Sequence, residues 1–222
     1  MLIEWIGHSC FYVTTTEGKT IIIDPYDNTI GLAVPQKGAD VVLVSHDHFD
    51  HRNEDYIASL EDGATLIDTI GDFDVCGIKI KGIALDHDEQ GGALRGKVIA
   101  FLIEADGMRI LHMSDVGAMP SDAFFDEIGK IDILMIPVGG VYTVDAKGAL
   151  NIMDRIQPNI TIPMHYLTAG LKLEIASPHD FLARAANREY DVSRLGGGIF
   201  DITADNLKKR RRIVVMECSS CN

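Results

Sequence analysis

The segment Ser45-His46-Asp47-His48-Phe49-Asp50-His51 constrains this chain more than any other. Three histidines and two aspartates fall within seven residues, directly after the apolar run Val41 to Val44. Such a run reads as a buried strand. The fold must therefore end a core strand in a loop crowded with ionisable groups. A polar surface loop has little structural use for that density. Imidazole and carboxylate are the ligands that suit zinc, manganese and iron. Placed two apart at a strand end, His46 and His48 are expected to point the same way and reach one ion, with Asp50 and His51 facing a second.

The surrounding pattern repeats. Phe11 to Thr15 and Thr20 to Ile23 read as two strands joined at Glu17-Gly18, the second ending at Asp24. Val98 to Glu104 and Met108 to Met113 read the same way around Asp106-Gly107, a pair that favours tight hairpins, ending near Asp115. Each hairpin is followed by an apolar strand, Asp40 to Val44 or Ile131 to Ile136, that runs into a polar loop. Two such halves packed together would bring those loops to one edge, where sites are usually built. Helices are predicted over Arg52 to Leu60, after a cap at Asp145, and from Ser177, with Pro178 in the first helical position. Strands and helices mix without a βαβ rhythm, which favours α+β. Nothing resembling a linker interrupts residues 1–222, so one domain is expected.

Bulk properties exclude several classes. A net charge of -13 argues against general nucleic-acid binding, which needs cations to displace phosphate counterions. The basic run Lys208 to Arg212 reads as a solvated turn. No apolar stretch approaches the ~20 residues of a membrane helix, and the N-terminus lacks a signal-peptide pattern. A cytoplasmic protein with no membrane partner is expected. Four cysteines are too few and scattered for a disulfide framework. Cys10 and Cys76 read as small buried residues, and the pair Cys218/Cys221 has no second pair or nearby histidines to suggest a metal or redox role.

The H-x-H-x-D-H spacing of His46, His48, Asp50 and His51 resembles the metallo-β-lactamase superfamily. Gly7-His8-Ser9, Ile23-Asp24-Pro25-Tyr26, Val138 to Thr143 and Ile162 to Tyr166 are similar to the subgroup that includes L-ascorbate-6-phosphate lactonase. The resemblance spans nearly the whole chain. It implies a four-layer αββα sandwich with two divalent ions, zinc or manganese or else iron, at one edge between the sheets. It also implies a hydrolase in which a hydroxide bridging the ions attacks a small lactone, ester or phosphodiester, with Asp50 as the catalytic residue.

Carried over residue by residue, the resemblance puts His46, His48 and His87 on one ion and Asp50, His51 and His165 near the other, with Asp115 bridging. Ser114 stands where the family usually has glycine. His112 competes with His87 on position alone. His8 and Asp24 are expected to support ligands; Tyr142, Thr143, Lys147 and Tyr166 are candidate substrate contacts, each with an ordinary packing or surface role beside it. The expected partner is a small molecule, with anionic ones among the candidates, and a homo-oligomer stays open. Two alternatives remain: a non-catalytic metal-binding regulator and a nuclease of the same superfamily.

Overall fold

The computed structural model describes residues 1–60, 63–188, 190–207 and 211–221. Two mixed sheets account for its strands. In chain order the first takes β1 (Leu2–Gly7), β2 (Cys10–Thr14), β3 (Thr20–Ile23), β4 (Val41–Leu43) and β5 (Thr65–Ile67). The second takes β6 (Gly71–Val75), β7 (Ile78–Asp86), β8 (Lys97–Ala105), β9 (Met108–His112), β10 (Ile133–Pro137), β11 (Ile160–Met164) and β12 (Asp191–Arg194). Then β13 (Ile199–Asp201) returns to the edge of the first sheet and β14 (Arg212–Val215) enters the second. The orders are β13-β1-β2-β3-β4-β5 and β12-β14-β11-β10-β9-β8-β7-β6.

The two-half pattern is realised strand for strand. The β2-β3 hairpin is antiparallel and β4 joins it in parallel; β8 and β9 are antiparallel and β10 joins in parallel. Side-chain alternation along strands assigns the layers. Ile21, Ile23, Val41 and Leu43 face the second sheet in the main core, whereas Ile22, Val42 and Val44 pack with Tyr56, Ile30 and Leu171 on the outer side. Strands β10 and β11 are buried throughout, as expected of parallel strands covered on both faces.

Among the described residues four α-helices lie outside the sheets: α1 (Glu54–Ala58), α2 (Asp122–Ile128), α3 (Ala146–Ile156) and α4 (His179–Ala186). The layers make the αββα sandwich. Helix α3 starts where the sequence predicts, with the Asp145 carboxylate accepting the Gly148 N–H at 2.8 Å, a cap worth about 1 kcal/mol. Helix α1 is shorter than predicted because Asn53 caps it, accepting the Tyr56 N–H at 2.9 Å. In α4 the cap is Pro178, one residue later than predicted, and no side chain caps it. The short α2, capped by Ser121, escapes sequence reading because only seven residues carry its period.

Two cysteine expectations change and one holds. Cys218 and Cys221 form a disulfide with Cα atoms 5.3 Å apart, inside the range a bridge requires. Cys10 is buried, but Cys76 is exposed, because it occupies the tight turn between β6 and β7 with φ at 53°. Of the basic run, Lys208 to Arg210 lie outside the described residues, and Arg212 already belongs to β14. Among the described residues no helix is long and apolar enough to cross a membrane.

Candidate metal centre

The motif loop is not an extension of β4, which ends at Leu43. The expectation that His46 and His48 share a strand face is therefore replaced by a turn. The His48 carbonyl accepts the N–H groups of His51 and Arg52 at 2.9 and 2.8 Å. That turn places the His46 and His48 rings 4.4 Å apart and leaves Asp47 outside, paired with Arg52. The two sheets are stitched together at this edge. Ile99 of β8 donates to the Ser45 carbonyl at 3.0 Å, and the His165 N–H donates to the His8 carbonyl at 3.0 Å. The Trp5 indole N–H donates to the same carbonyl at 3.0 Å, fixing the end of β1.

Three overlapping groups of ligand atoms result. One atom from each of His46, His48 and His87 lies within 4.8 Å of the others; the same holds for His8, Asp50, His51 and His165, and for His46, His51 and Asp115. Asp115 sits between them. Its Oδ1 is 3.2 Å from His51 Nε2, and its Oδ2 is 3.2 Å from His165 Nε2 and 3.8 Å from His87 Nε2.

Backbone geometry aims these side chains. His8, Asp24, Ser114 and His165 all have φ between 48° and 53°, a left-handed region that ordinary residues occupy at a cost of order 1–3 kcal/mol. Each stands at the end of a strand, where the chain must turn sharply to point a side chain into the edge. Close approach does the rest. A Cβ on Gly117 would lie 2.2 Å from the His87 carbonyl, and one on Gly139 would lie 2.2 Å from the His165 carbonyl oxygen.

Hydrogen bonds set the tautomers. Asp24, fully buried, accepts the Ser45 N–H and Oγ–H, both at 2.8 Å, and the His51 Nδ1–H at 2.9 Å. Since Ser45 spends its only proton on Asp24, His46 Nδ1 must donate to Ser45 Oγ, 2.9 Å away. Nε2 of each ring is thereby the atom turned to the centre, and both Nε2 atoms are buried without a well-aligned hydrogen bond, as are Asp115 Oδ1 and both ring nitrogens of His165. Leaving such atoms unpaired costs ~1–3 kcal/mol each.

The charges are strongly coupled. Burial, then the neighbouring His165, lowers the His8 pKa to about 4. Burial, then the neighbouring His51, lowers that of His46 to about 3. For His51 burial also opposes protonation, but Asp115, Asp50 and Asp24 outweigh it and hold its pKa well above the usual value. Burial would raise Asp115, yet His165 and His51 pull it well below the carboxylate range.

The other sequence candidates divide. His8 does more than support: its Nε2 is 3.1 Å from Asp50 Oδ2 and its ring centroid is 4.1 Å from that of His165. His112 is committed elsewhere, with Nε2 donating to the Ser9 carbonyl at 2.9 Å and Nδ1 accepting the Ser114 N–H at 3.2 Å. Tyr166 lies away from the rim. It is buried against Trp5 with ring centroids 5.0 Å apart. Lys147 is exposed on the first turn of α3, and Thr143 donates to the neighbouring Val144 carbonyl at 3.1 Å; neither joins the cluster. Tyr142 lies on the rim beside Arg95. Sequence reasoning passed over Ser45 as a relay between His46 and Asp24; a hydroxyl directly between a strand and a histidine motif was the available signal.

A two-sheet sandwich whose edge gathers histidines and aspartates from both halves defines the β-lactamase class of metal-site proteins, and the family model described as Beta-lactamase superfamily domain matches residues 2–165. The chain belongs to the metallo-β-lactamase superfamily and, within it, to the UPF0173 family. A UPF0173 metal-dependent hydrolase of Thermoplasma acidophilum is 31% identical over 206 residues, covering 82% of this chain and 90% of that protein. A UPF0173 protein of Pyrococcus abyssi is 30% identical over 190 residues, covering 77% of this chain and 85% of that protein. The crystal structure of a candidate Zn-dependent hydrolase of the superfamily from Thermotoga maritima superposes with a TM-score of 0.78 at 37% identity, covering 97% of this chain and 98% of that one.

Proposed function

We propose that this protein is a hydrolase that uses two divalent metal ions, zinc or manganese, on a small lactone, ester or phosphodiester. The observation that carries the reading is the convergence of buried, unpartnered ring nitrogens on Asp115. The donor set fits such ions. Its atoms are imidazole nitrogens and carboxylate oxygens with no thiolate among them, a combination that accepts zinc, manganese or iron. Cations would also satisfy the polar atoms that the protein leaves unpaired and offset the carboxylates of Asp50 and Asp115. His46, His48 and His87 would hold one ion; Asp50, His51 and His165, with His8 beside them, the other; Asp115 would lie between. The naming of relatives as metal-dependent hydrolases points the same way.

When bound, the ions supply Lewis acidity, making water a nucleophile at neutral pH and polarising the substrate oxygen. The remaining work belongs to the protein. Asp24 and Ser45 keep His46 and His51 in the ligating tautomer. Asp50 Oδ2, accepting from His8 Nε2 at 3.1 Å, is placed to orient the attacking water and take its proton. Gly117 and Gly139 let the loops pack closely enough to keep the centre buried.

Purified protein supplied with each metal is tested for metal content by mass spectrometry and for turnover on a panel of lactones, esters and phosphodiesters. Close to two ions per chain, and turnover that Asp50→Asn abolishes without loss of fold, support the reading. Two ions with no turnover on the panel favour the non-catalytic metal-binding protein instead. Well under one ion per chain overturns the metal assignment.

A further inference from the structure

The loop that follows His87 is built around one buried carboxylate. Asp88 is 3% exposed, and its oxygens accept the backbone N–H groups of Gln90, Gly92, Leu94 and Arg95 at 2.8, 3.1, 2.9 and 2.8 Å. The loop then closes on the metal centre, because the next residue, Gly96, accepts the His87 N–H on its carbonyl at 3.2 Å. The Arg95 backbone is thus fixed beside a residue of the cluster. Its side chain crosses to the loop after β10: the guanidinium lies 5.7 Å from the Tyr142 ring centroid, and Nη2 donates to the Val141 carbonyl at 3.3 Å.

Two features mark this arrangement as a receptor. Arg95 has no carboxylate within ion-pair distance among the described residues, unlike Arg52, Arg109, Arg155, Arg184 and Arg188; Arg194, Arg211 and Arg212 also lack one, but Arg95 alone follows a cluster residue on a loop bonded back to it. In a chain with 33 acidic and 20 basic residues, a guanidinium without a carboxylate partner, on a backbone held by a four-bond turn and steered by the Val141 carbonyl and the Tyr142 ring, is pre-organised for an anion from outside. Its chain neighbour and the loop it reaches carry exposed apolar residues. Leu94 is 66% exposed, Val141 60% and Tyr142 38%. Lone exposed apolar residues are common, but apolar side chains grouped around a site mark a contact surface.

We propose that Arg95 is a specificity-determining residue that binds the carboxylate of a substrate with an apolar body, which Leu94, Val141 and Tyr142 cover. The assignment rests on the hydrolase reading for what happens to that substrate, but not for its binding. A carboxylate suits the site better than a phosphate. One planar fork matches a monoanion through two parallel hydrogen bonds, and among the described residues no second basic side chain bonds to or stacks on Val141 or Tyr142 to balance a dianion.

The test compares two probes, 3-phenylpropionate and its neutral amide, by calorimetric titration of the metal-loaded protein. Wild type is expected to bind the carboxylate roughly ten-fold tighter than the amide, the scale of one charge-assisted contact. Arg95→Met should bring that ratio close to one, and Arg95→Lys should leave it between the two, with metal content and melting temperature unchanged as controls on folding. A preference that persists in Arg95→Met would mean the carboxylate is bound elsewhere, including on the ions, and overturns the proposal; so does equal or undetectable binding of the two probes by wild type. The hydrolase reading is judged separately, by wild-type turnover of neutral esters.

Discussion

His51 donates its Nδ1–H to Asp24 Oδ2 at 2.9 Å, and neither side chain has any solvent exposure. The aspartate directly follows β3 and the histidine ends the motif loop, 27 residues later. The contact decides which ring nitrogen faces the centre, and Asp24 holds Ser45 and, through it, His46 in the same way.

Asp24→Asn should therefore cost metal affinity without touching a ligand. An amide still accepts at its oxygen, but its NH₂ faces donors that the carboxylate had satisfied. A loss of ~10–100-fold in affinity is expected for a supporting group of this kind, read by competition against a metal-binding dye. Affinity equal to wild type would remove Asp24 from the site.

Metal uptake should release a proton. The pKa of His51 lies well above 6.5, because three carboxylates outweigh its burial, so at pH 7 the metal-free protein holds a proton there. His8 and His46, pushed down to about 4 and about 3, are already neutral. The sign follows. Affinity should climb as pH rises toward the His51 pKa, and the stability that protonated His51 lends the metal-free fold, full below about 6.5, should fade over the same range. Calorimetry in two buffers of different ionisation enthalpy counts the protons; about one per chain is expected, and none at pH 7 would contradict the charge balance.

Gly117→Ala should damage the site from a distance. The added Cβ would meet the His87 carbonyl at 2.2 Å, so backbone must move. Overpacking of this kind costs ~1–3 kcal/mol, and here it also displaces His87 from His46 and His48. A lower melting temperature together with weaker metal binding is the expected pair; a drop in stability alone would mean that the loop relaxes elsewhere.

Ser114→Gly should act oppositely. Ser114 holds φ at 48° and buries an Oγ without a partner. Glycine adopts that conformation without strain and removes the orphan hydroxyl. A gain of about 1 kcal/mol is expected, with metal content unchanged, measured by denaturant unfolding of both proteins. A loss of stability would show that the hydroxyl has a partner in solution.

Much of this was legible in the chain. The Ser45–His51 segment, the two hairpin-and-strand units and the Asp145 cap are local features, written in residues a few positions apart. Where local pattern was weak, reading failed: α2 is too short to show its period, and β6 and β12 are largely exposed edge strands without clear alternation; nothing local says that Trp5 covers Tyr166.

The sequence by itself determined that an apolar strand ends in a loop crowded with metal-ligand chemistry, and that a second half of the chain repeats the scaffold of the first. This follows because periodicity, turn residues and side-chain chemistry act over short range. The family resemblance named His87, Asp115 and His165, with His8 and Asp24 as supports; only the tertiary structure decided how these distant groups meet that loop, with Arg95 on the rim and His112 turned aside to Ser9. Those choices depend on sheet register, on four residues held in left-handed conformations and on glycines that admit backbone at contact distance. None of these has a local signature, because each is set by how the two sheets pack against one another.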